Sequence, residues 1–433
     1  MGLAAEPVGD VGTVCRRQAT SEVGAITTAL ADRRLPTAAP PMLPCAAPDP
    51  LDWSQTGQHG GGGWFRGLRG ASVGGTAGPS RASALDLQAV RSRVDAVLDD
   101  FFNSRLRGAG REAEGPFDLA EVVSDFVTRG GKRLRPLLCM VGWHAGGKTT
   151  VSDAVLRTAA SLELFHAFAL IHDDIMDRSD LRRGAPTVHR AVAARYPDHP
   201  AREDVGTGAA ILAGNLALVW SDELLHSAGL SAAERAAVMP VIDVMRTEIV
   251  YGQYLDLTTR VGAHGGVESA LRVARYKTAK YTFERPLHLG AALAGAGEGL
   301  RAALSAFALP AGESFQLRDD LLGVFGASAQ TGKPVLDDLR QAKPTVLMAL
   351  AYQRADTRQW RVLDTLTGRP DLDEHGAEQV RRVLRETGAV DTVEDMIRLR
   401  HQQALQALAG AAFPAPAADA ARRLVHSVAE RAA

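Results

Sequence analysis

"LIHDDIMDRSDLRRG", residues 170–184, drives an apolar run into Asp173, Asp174, Asp177 and Asp180 and closes on Arg182 and Arg183. The run that feeds it, Phe165 to Ile171, belongs to a segment with apolar residues at three- and four-residue intervals, the period of a packed helix. On such a helix Asp173 and Asp177 lie one above the other, four residues apart. Stacked carboxylates repel, and a helix C-terminus disfavours negative charge further. The arrangement calls for a cation. Hard divalent cations such as Mg²⁺ take oxygen ligands, often one or two carboxylates together with substrate phosphates. Asp174 points about 100° away and suits a supporting role.

The helical period continues outward from this stretch. It runs through "SDAVLRTAASLELFHAFAL" before it, and through "SAAERAAVMPVIDVMRTEIVYGQYLDL" and "LRAALSAFALPAGESFQLRDDLLGVFG" after it. Ser152-Asp153 and Ser231 with Glu234 three residues on read as helix starts, the second with capping-box spacing. No run alternates with the two-residue period of a strand. Residues 83–433 are therefore predicted to form an all-α domain, a large bundle of about ten or more helices. Residues 1–82, with "PTAAPPMLPCAAPDP" and a long Gly-rich stretch, read as a disordered low-complexity tail.

Composition agrees with that reading. The 433 residues are 46% hydrophobic and only 5% aromatic, a balance that favours Ala- and Leu-rich helices over strands. A formal net charge of -1 points to neither nucleic acid nor an anionic membrane as partner. Cys15, Cys45 and Cys139 are an odd set without metal-like spacing, which predicts a reducing, cytoplasmic compartment. No apolar run reads as reaching the ~20 residues of a transmembrane segment, and the N-terminus lacks the apolar core of a secretory signal.

A second acid pair, Asp319 and Asp320 in "FQLRDDLLGVFG", also follows an apolar helical run, with Gln316 on the face of Asp319. If the two helices face one another, Asp173, Asp177 and Asp319 converge on one metal cluster. The phosphates that such a metal implies need cations of their own. "RGGKRLRP" supplies Arg129, Lys132, Arg133 and Arg135 behind two glycines, which allow close backbone approach. Arg182, Arg183, Lys277, Lys333 and Lys343 stand beside the acid motifs or at later loops. Taken singly, each reads as a solvated surface charge; their repeated placement beside Gly, Pro and Asp-Asp argues against that. His166, two turns before Asp173 on the same face, is either a satisfied core histidine or a donor to a diphosphate. "GWHAGGKT", residues 142–149, matches a P-loop letter for letter, but no strands exist to build the sheet a P-loop needs.

Together "GGKRLRP", "LIHDDIMDRSDLRRG", "YGQYLDL", "YKTAKYTFERPL", "FQLRDD" and "TGKP…DDLRQAKPT" resemble, in order, the motifs of the polyprenyl synthetases, the trans-isoprenyl diphosphate synthases. The resemblance covers the chain from about Ala84 onward and is most like geranylgeranyl diphosphate synthase. It implies a helix bundle around a central apolar cavity, usually a homodimer. The implied reaction is head-to-tail condensation of isopentenyl diphosphate with an allylic diphosphate. It assigns Mg²⁺, three ions per active site, to Asp173, Asp177 and Asp319, with Asp174 and Asp320 in support. Arg182, Lys277 and Lys333 would grip the allylic diphosphate, with Lys343 nearby. Lys132, Arg135, His166 and Arg183 would bind isopentenyl diphosphate, and Thr278 and Gln316 would steady the allylic cation. The one departure is Gly323, where the commonest pattern has a third Asp.

Phe168 and Ala169, five and four residues before Asp173, lie about one turn below the metals. In the family an aromatic at the first of these with a small residue at the second resembles a twenty-carbon synthase. Phe165, a turn further on, is either a second floor or plain core. The rival expectations are farnesyl or longer products, a class I terpene cyclase, and a non-catalytic partner subunit. A cyclase needs no second diphosphate site, and silent subunits usually lose first-motif acids.

Overall fold

A computed structural model describes residues 85–109, 117–260, 262, 266–326 and 336–429. The tail, 1–82, and Lys333 lie outside the described residues. In chain order the elements begin with α1 (Leu87–Ala109), α2 (Phe117–Thr128), α3 (Leu134–Ala145) and α4 (Asp153–Met176). A strand pair follows, β1 (Leu181–Arg182) and β2 (Ala185–Pro186), then α5 (Val188–Ala193), α6 (Arg202–His226), α7 (Ala232–Thr258) and α8 (Val267–Val273). A π-helix (Ala274–Glu284) leads into α9 (Arg285–Leu293) and α10 (Glu298–Phe325). The chain closes with α11 (Asp337–Arg340), α12 (Val346–Arg354), α13 (Thr357–Leu366), α14 (Glu374–Glu386), α15 (Ala389–Gly410) and α16 (Ala415–Ala429). The fold is all-α, as the periodicity predicts.

The start signals act as read. Ser152 caps α4 by accepting from Val155 N, and Ser231 and Glu234 form a reciprocal capping box on α7. The P-loop look-alike is dismantled by the fold: its first glycine, Gly142, lies inside α3, and Gly146 caps that helix. Gly142 instead serves packing. A Cβ there would fall 2.0 Å from the Leu287 carbonyl oxygen, and one on Gly290 1.8 Å from that of Cys139, so α3 and α9 cross at backbone contact.

Two features depart from the sequence reading. The first is the small hairpin after the acid motif, with Leu181 opposite Pro186 and Arg182 opposite Ala185. Its turn residues, Arg183 (φ 53°) and Gly184 (φ 75°), both have positive φ, the geometry that suits a two-residue hairpin. Arg183 is held in this uncommon conformation while its guanidinium donates to the Gly130 carbonyl. The second is length: α4 and α6 are each long and apolar enough to cross a bilayer by length and composition, contrary to the expectation of no such run. Here they pack on one another, and 67% of the apolar window of α4 is buried inside the bundle.

The buried apolar residues form two clusters, one built largely on α1, α3, α4, α6, α7 and α9 and the other on α10 and α12 to α15. The π-helix is held by close approach from two sides. A Cβ on Gly252 of α7 would lie 2.6 Å from Lys277 N, and one on Gly312 of α10 2.5 Å from Ala279 Cα. Backbone cannot yield as a flexible side chain can. Gly252→Ala is therefore expected to destabilise the protein by about 1–3 kcal/mol through overpacking. Thermal or denaturant melting checks this, and an unchanged midpoint would show that the π-helix is free to shift.

Candidate active site

A cavity of about 1210 Å³ is lined by residues of α1, α3, α4, α7, α8, the π-helix and α10, and by Asp338 of α11. Its acid side is built from the end of α4. Asp173 and Asp174 occupy the last turn and Asp177 is the C-cap. Carboxylate oxygens of Asp173, Asp177 and Asp256 all lie within 4.8 Å of one another. Asp256 comes from α7, from the "YGQYLDL" motif, and is the member that sequence reasoning left out. Asp319 lines the same cavity from α10 but is exposed and stands outside that close group. The expected trio thus shares one cavity, while the tight carboxylate triangle takes Asp256 in place of Asp319.

Cations interleave with these acids. Lys277 Nζ stands 2.9 Å from Asp173 and 2.6 Å from Asp256. Lys343 Nζ lies 3.1 Å from Asp177 and 3.4 Å from Asp338. Burial works to lower both ammonium pKa values, but the carboxylates outweigh it and hold both above the ordinary lysine value, Lys343 well above. Arg182 Nε donates to both Asp174 oxygens, at 2.8 and 2.7 Å, and its Nη2 reaches Asp173 at 3.2 Å. Asp174 is 1% exposed and so fixes the arginine against the acid helix. Gln253 Nε2 donates to Asp173 at 3.1 Å. An all-oxygen donor set converging on one point suits a hard divalent cation.

The second acid pair is joined to the π-helix by side chains. Thr278 donates its hydroxyl proton to Gln316, and Gln316 Nε2 donates to Asp320 at 2.7 Å. Burial raises the Asp320 carboxyl to about 8, the Gln316 bond partly offsets this, and neighbouring Asp319 and Asp338 raise it further. A nearby cation would draw it back toward the carboxylate. Gly323 has a physical reason here. A Cβ at that position would fall 1.8 Å from Asp338 Oδ2, so a carboxylate from α11 fills the space a third aspartate would occupy.

The basic side is carried by the Gly130–Arg135 turn and the hairpin. Arg133, which opens α3 with φ 49°, is buried and fully engaged. Its Nε meets Asp95 at 2.7 Å, Nη1 meets Glu163 at 3.1 Å, and Nη2 donates to the Val127 carbonyl at 3.0 Å. That makes it the strut of the turn. Lys132 is exposed and Arg135 buried, and both line the cavity. Arg135 donates to Thr282 at 2.7 Å and stacks 4.3 Å from the centre of the Tyr281 ring. Tyr281 is another residue the motif reading passed over; burial raises its phenol to about 12. His166 lines the same wall. Burial, with Arg135, Arg183 and Arg182 adding to it, holds its pKa well below the ordinary value, so the ring is neutral and has one N–H to give instead of two.

Phe168 and Ala169 both line the cavity. The Phe168 ring packs between Phe165, at 5.3 Å, and His172, at 4.9 Å. Phe165 is 2% exposed and lies in the core behind it. Of the residues singled out from sequence, the structure thus gathers around one cavity all that it describes except Arg129, Phe165, Asp174, Asp177 and Asp180; the partners of Asp174 and Asp177, Arg182 and Lys343, do line that cavity.

Comparison with known proteins identifies relatives of the chain. A family model described as polyprenyl synthetase matches residues 118–385. The chain is 32% identical over 297 residues to a geranylfarnesyl diphosphate synthase of Aeropyrum pernix, covering 68% of this chain and 86% of that protein. It is 30% identical over 305 residues to a geranylgeranyl diphosphate synthase of Methanosarcina mazei, covering 70% and 85%. Among solved structures, a geranylgeranyl pyrophosphate synthase of Corynebacterium glutamicum, complexed with isoprenyl diphosphate and magnesium, superposes with a TM-score of 0.77. It is 40% identical, over 80% of this chain and 100% of that one.

Proposed function

We propose, from the premise that this chain belongs to the polyprenyl synthetase family, that it condenses isopentenyl diphosphate with allylic diphosphates to give geranylgeranyl diphosphate. The observation that carries the reading is one cavity with two differently equipped polar walls, an acid group threaded with cations and a separate basic turn, joined by apolar side chains. Two charged substrates with greasy tails fit such a space.

Asp173, Asp177 and Asp256, with Asp319 across the cavity, would hold divalent metal, proposed to be Mg²⁺. Bound there, the metal supplies positive charge to a leaving diphosphate. Arg182, Lys277 and Lys343 are placed to hold the allylic diphosphate, and Asp174 and Gln253 keep the first of these and Asp173 in position. Lys132, Arg135, His166 and Arg183 are proposed to take the diphosphate of isopentenyl diphosphate. As the allylic C–O bond breaks, the Thr278 hydroxyl, Gln316 and the Tyr281 ring border the carbon that becomes cationic. Apolar residues such as Phe168 and Phe315 keep water from it. The double bond of isopentenyl diphosphate then forms the new C–C bond. A proton is lost to the departing diphosphate, which leaves a longer allylic diphosphate.

The twenty-carbon product rests on Phe168, which stands at the cavity wall with core behind it. A homodimer is proposed on the apolar faces that α6 and α7 leave open: Leu212 and Val219 are 58% exposed and Tyr251 61%. A cytoplasmic location is proposed on cysteine usage. The test is incubation of the purified protein with Mg²⁺, labelled isopentenyl diphosphate and dimethylallyl, geranyl or farnesyl diphosphate, followed by sizing of the dephosphorylated products. A dominant twenty-carbon alcohol is expected. A dominant product of another length refutes the Phe168 argument and keeps the chemistry; no incorporation with any primer refutes the chemistry.

A further inference from the structure

We infer that Arg91, on α1, is an additional binding residue for the diphosphate of isopentenyl diphosphate, an inference that rests on the function proposed above. Arg91 lies outside residues 118–385, the part of the chain that the family model matches, so none of the motifs points to it. The fold brings it to the site from 40 residues away. Its Nη2 donates to the Gly131 carbonyl at 2.8 Å, and the residue lines the cavity beside Lys132 and Arg183.

The charge balance of this wall selects Arg91. Two carboxylates face the basic turn, Asp95 and Glu163. Arg133 takes both, at 2.7 and 3.1 Å, with its third nitrogen on the Val127 carbonyl. Asp95 stands 4.0 Å from Arg91 Nε, so Arg133 holds the greater share of its charge. Arg91 therefore keeps most of its positive charge uncompensated. Its side chain is 40% exposed, and among the described residues its second terminal nitrogen has no partner. Arg183 is poised in the same way, its guanidinium on the neighbouring Gly130 carbonyl. The two arginines grip consecutive carbonyls of one glycine turn, and both present guanidinium edges to the same space. Guanidinium forks bind phosphate oxygens in pairs and do so more strongly than they bind a neutral carbonyl.

Steady-state kinetics on the full chain test this, with isopentenyl diphosphate varied at saturating allylic diphosphate and then the reverse. Arg91→Gln keeps an amide donor and removes the charge; Arg91→Lys keeps the charge. The expected result for Arg91→Gln is a KM for isopentenyl diphosphate raised about tenfold, the size of one charged hydrogen bond. Its kcat, its KM for the allylic substrate and its melting temperature stay near wild type, and Arg91→Lys recovers most of the loss. An unchanged KM for isopentenyl diphosphate overturns the inference. So does a rise in both KM values together with a lower melting temperature, the signature of a strut for the glycine turn. If the wild type incorporates isopentenyl diphosphate with none of the primers, the functional reading itself has failed, and this inference falls with it.

Discussion

Asp173→Ala is expected to reduce metal-dependent turnover by about a thousandfold or more, because one side chain serves three partners at the point where leaving charge must be stabilised. Asp173 meets Lys277 at 2.9 Å, Arg182 at 3.2 Å and Gln253 at 3.1 Å, and is a corner of the carboxylate triangle. Its loss weakens the proposed metal site and takes from Lys277 and Arg182 one of the two carboxylates that position each. The fold should survive. Arg182 keeps Asp174 and Lys277 keeps Asp256, so no buried charge is left alone. Far-UV circular dichroism and a melting curve would establish that the variant is folded. Asp173→Asn, which preserves shape and removes charge, should be nearly as inactive. Turnover within about tenfold of wild type in either variant would remove Asp173 from the proposed mechanism.

Phe168→Ala is expected to shift the product from the proposed twenty carbons to twenty-five or more. The Phe168 ring stands at the cavity wall against Phe165 and His172, and removing it opens a volume of about one aromatic ring. The next layer is Phe165, 2% exposed and itself packed 5.9 Å from the Tyr281 ring. That second wall should stop growth again after a limited extension. Product chromatography with farnesyl diphosphate as primer reads this directly. The total rate of incorporation should fall far less than for Asp173→Ala, because none of the charged groups moves. An unchanged product distribution would place the floor of the pocket elsewhere.

The bundle was readable because its helices carry strong local signals, in periodicity and in caps such as Ser152 and Ser231. The acid and basic motifs were readable because they are dense: four aspartates in eight residues, or Lys and Arg around two glycines, stand out from solvated charge. What sequence hid was solitary or non-local. Asp256 stands alone in "YGQYLDL", without a second acid beside it, and only the fold shows that it meets Asp173. Gly323 reads as a missing acid until Asp338, 15 residues later, is seen lying against it. Arg91 carries no motif at all. The short hairpin escaped because two-residue strands have no period to detect. Its turn also uses an arginine where a glycine or asparagine would have announced it.

The π-helix has an implication for how this enzyme family member can be improved. Its backbone hydrogen bonds span five residues where those of the neighbouring α-helices span four, so it amounts to a surplus of chain kept in register by the glycines of α7 and α10. Shortening that segment would let ordinary α-helix run through from α8 to α9, and by local preference alone the shorter protein would be the more robust one. It would also rotate Thr278 and Lys277 away from Gln316 and Asp173, the contacts that now tie the segment to both acid motifs. Selection for thermostability alone would thus tend to erode the site, and an engineering campaign should exempt residues 274–284 from its deletions.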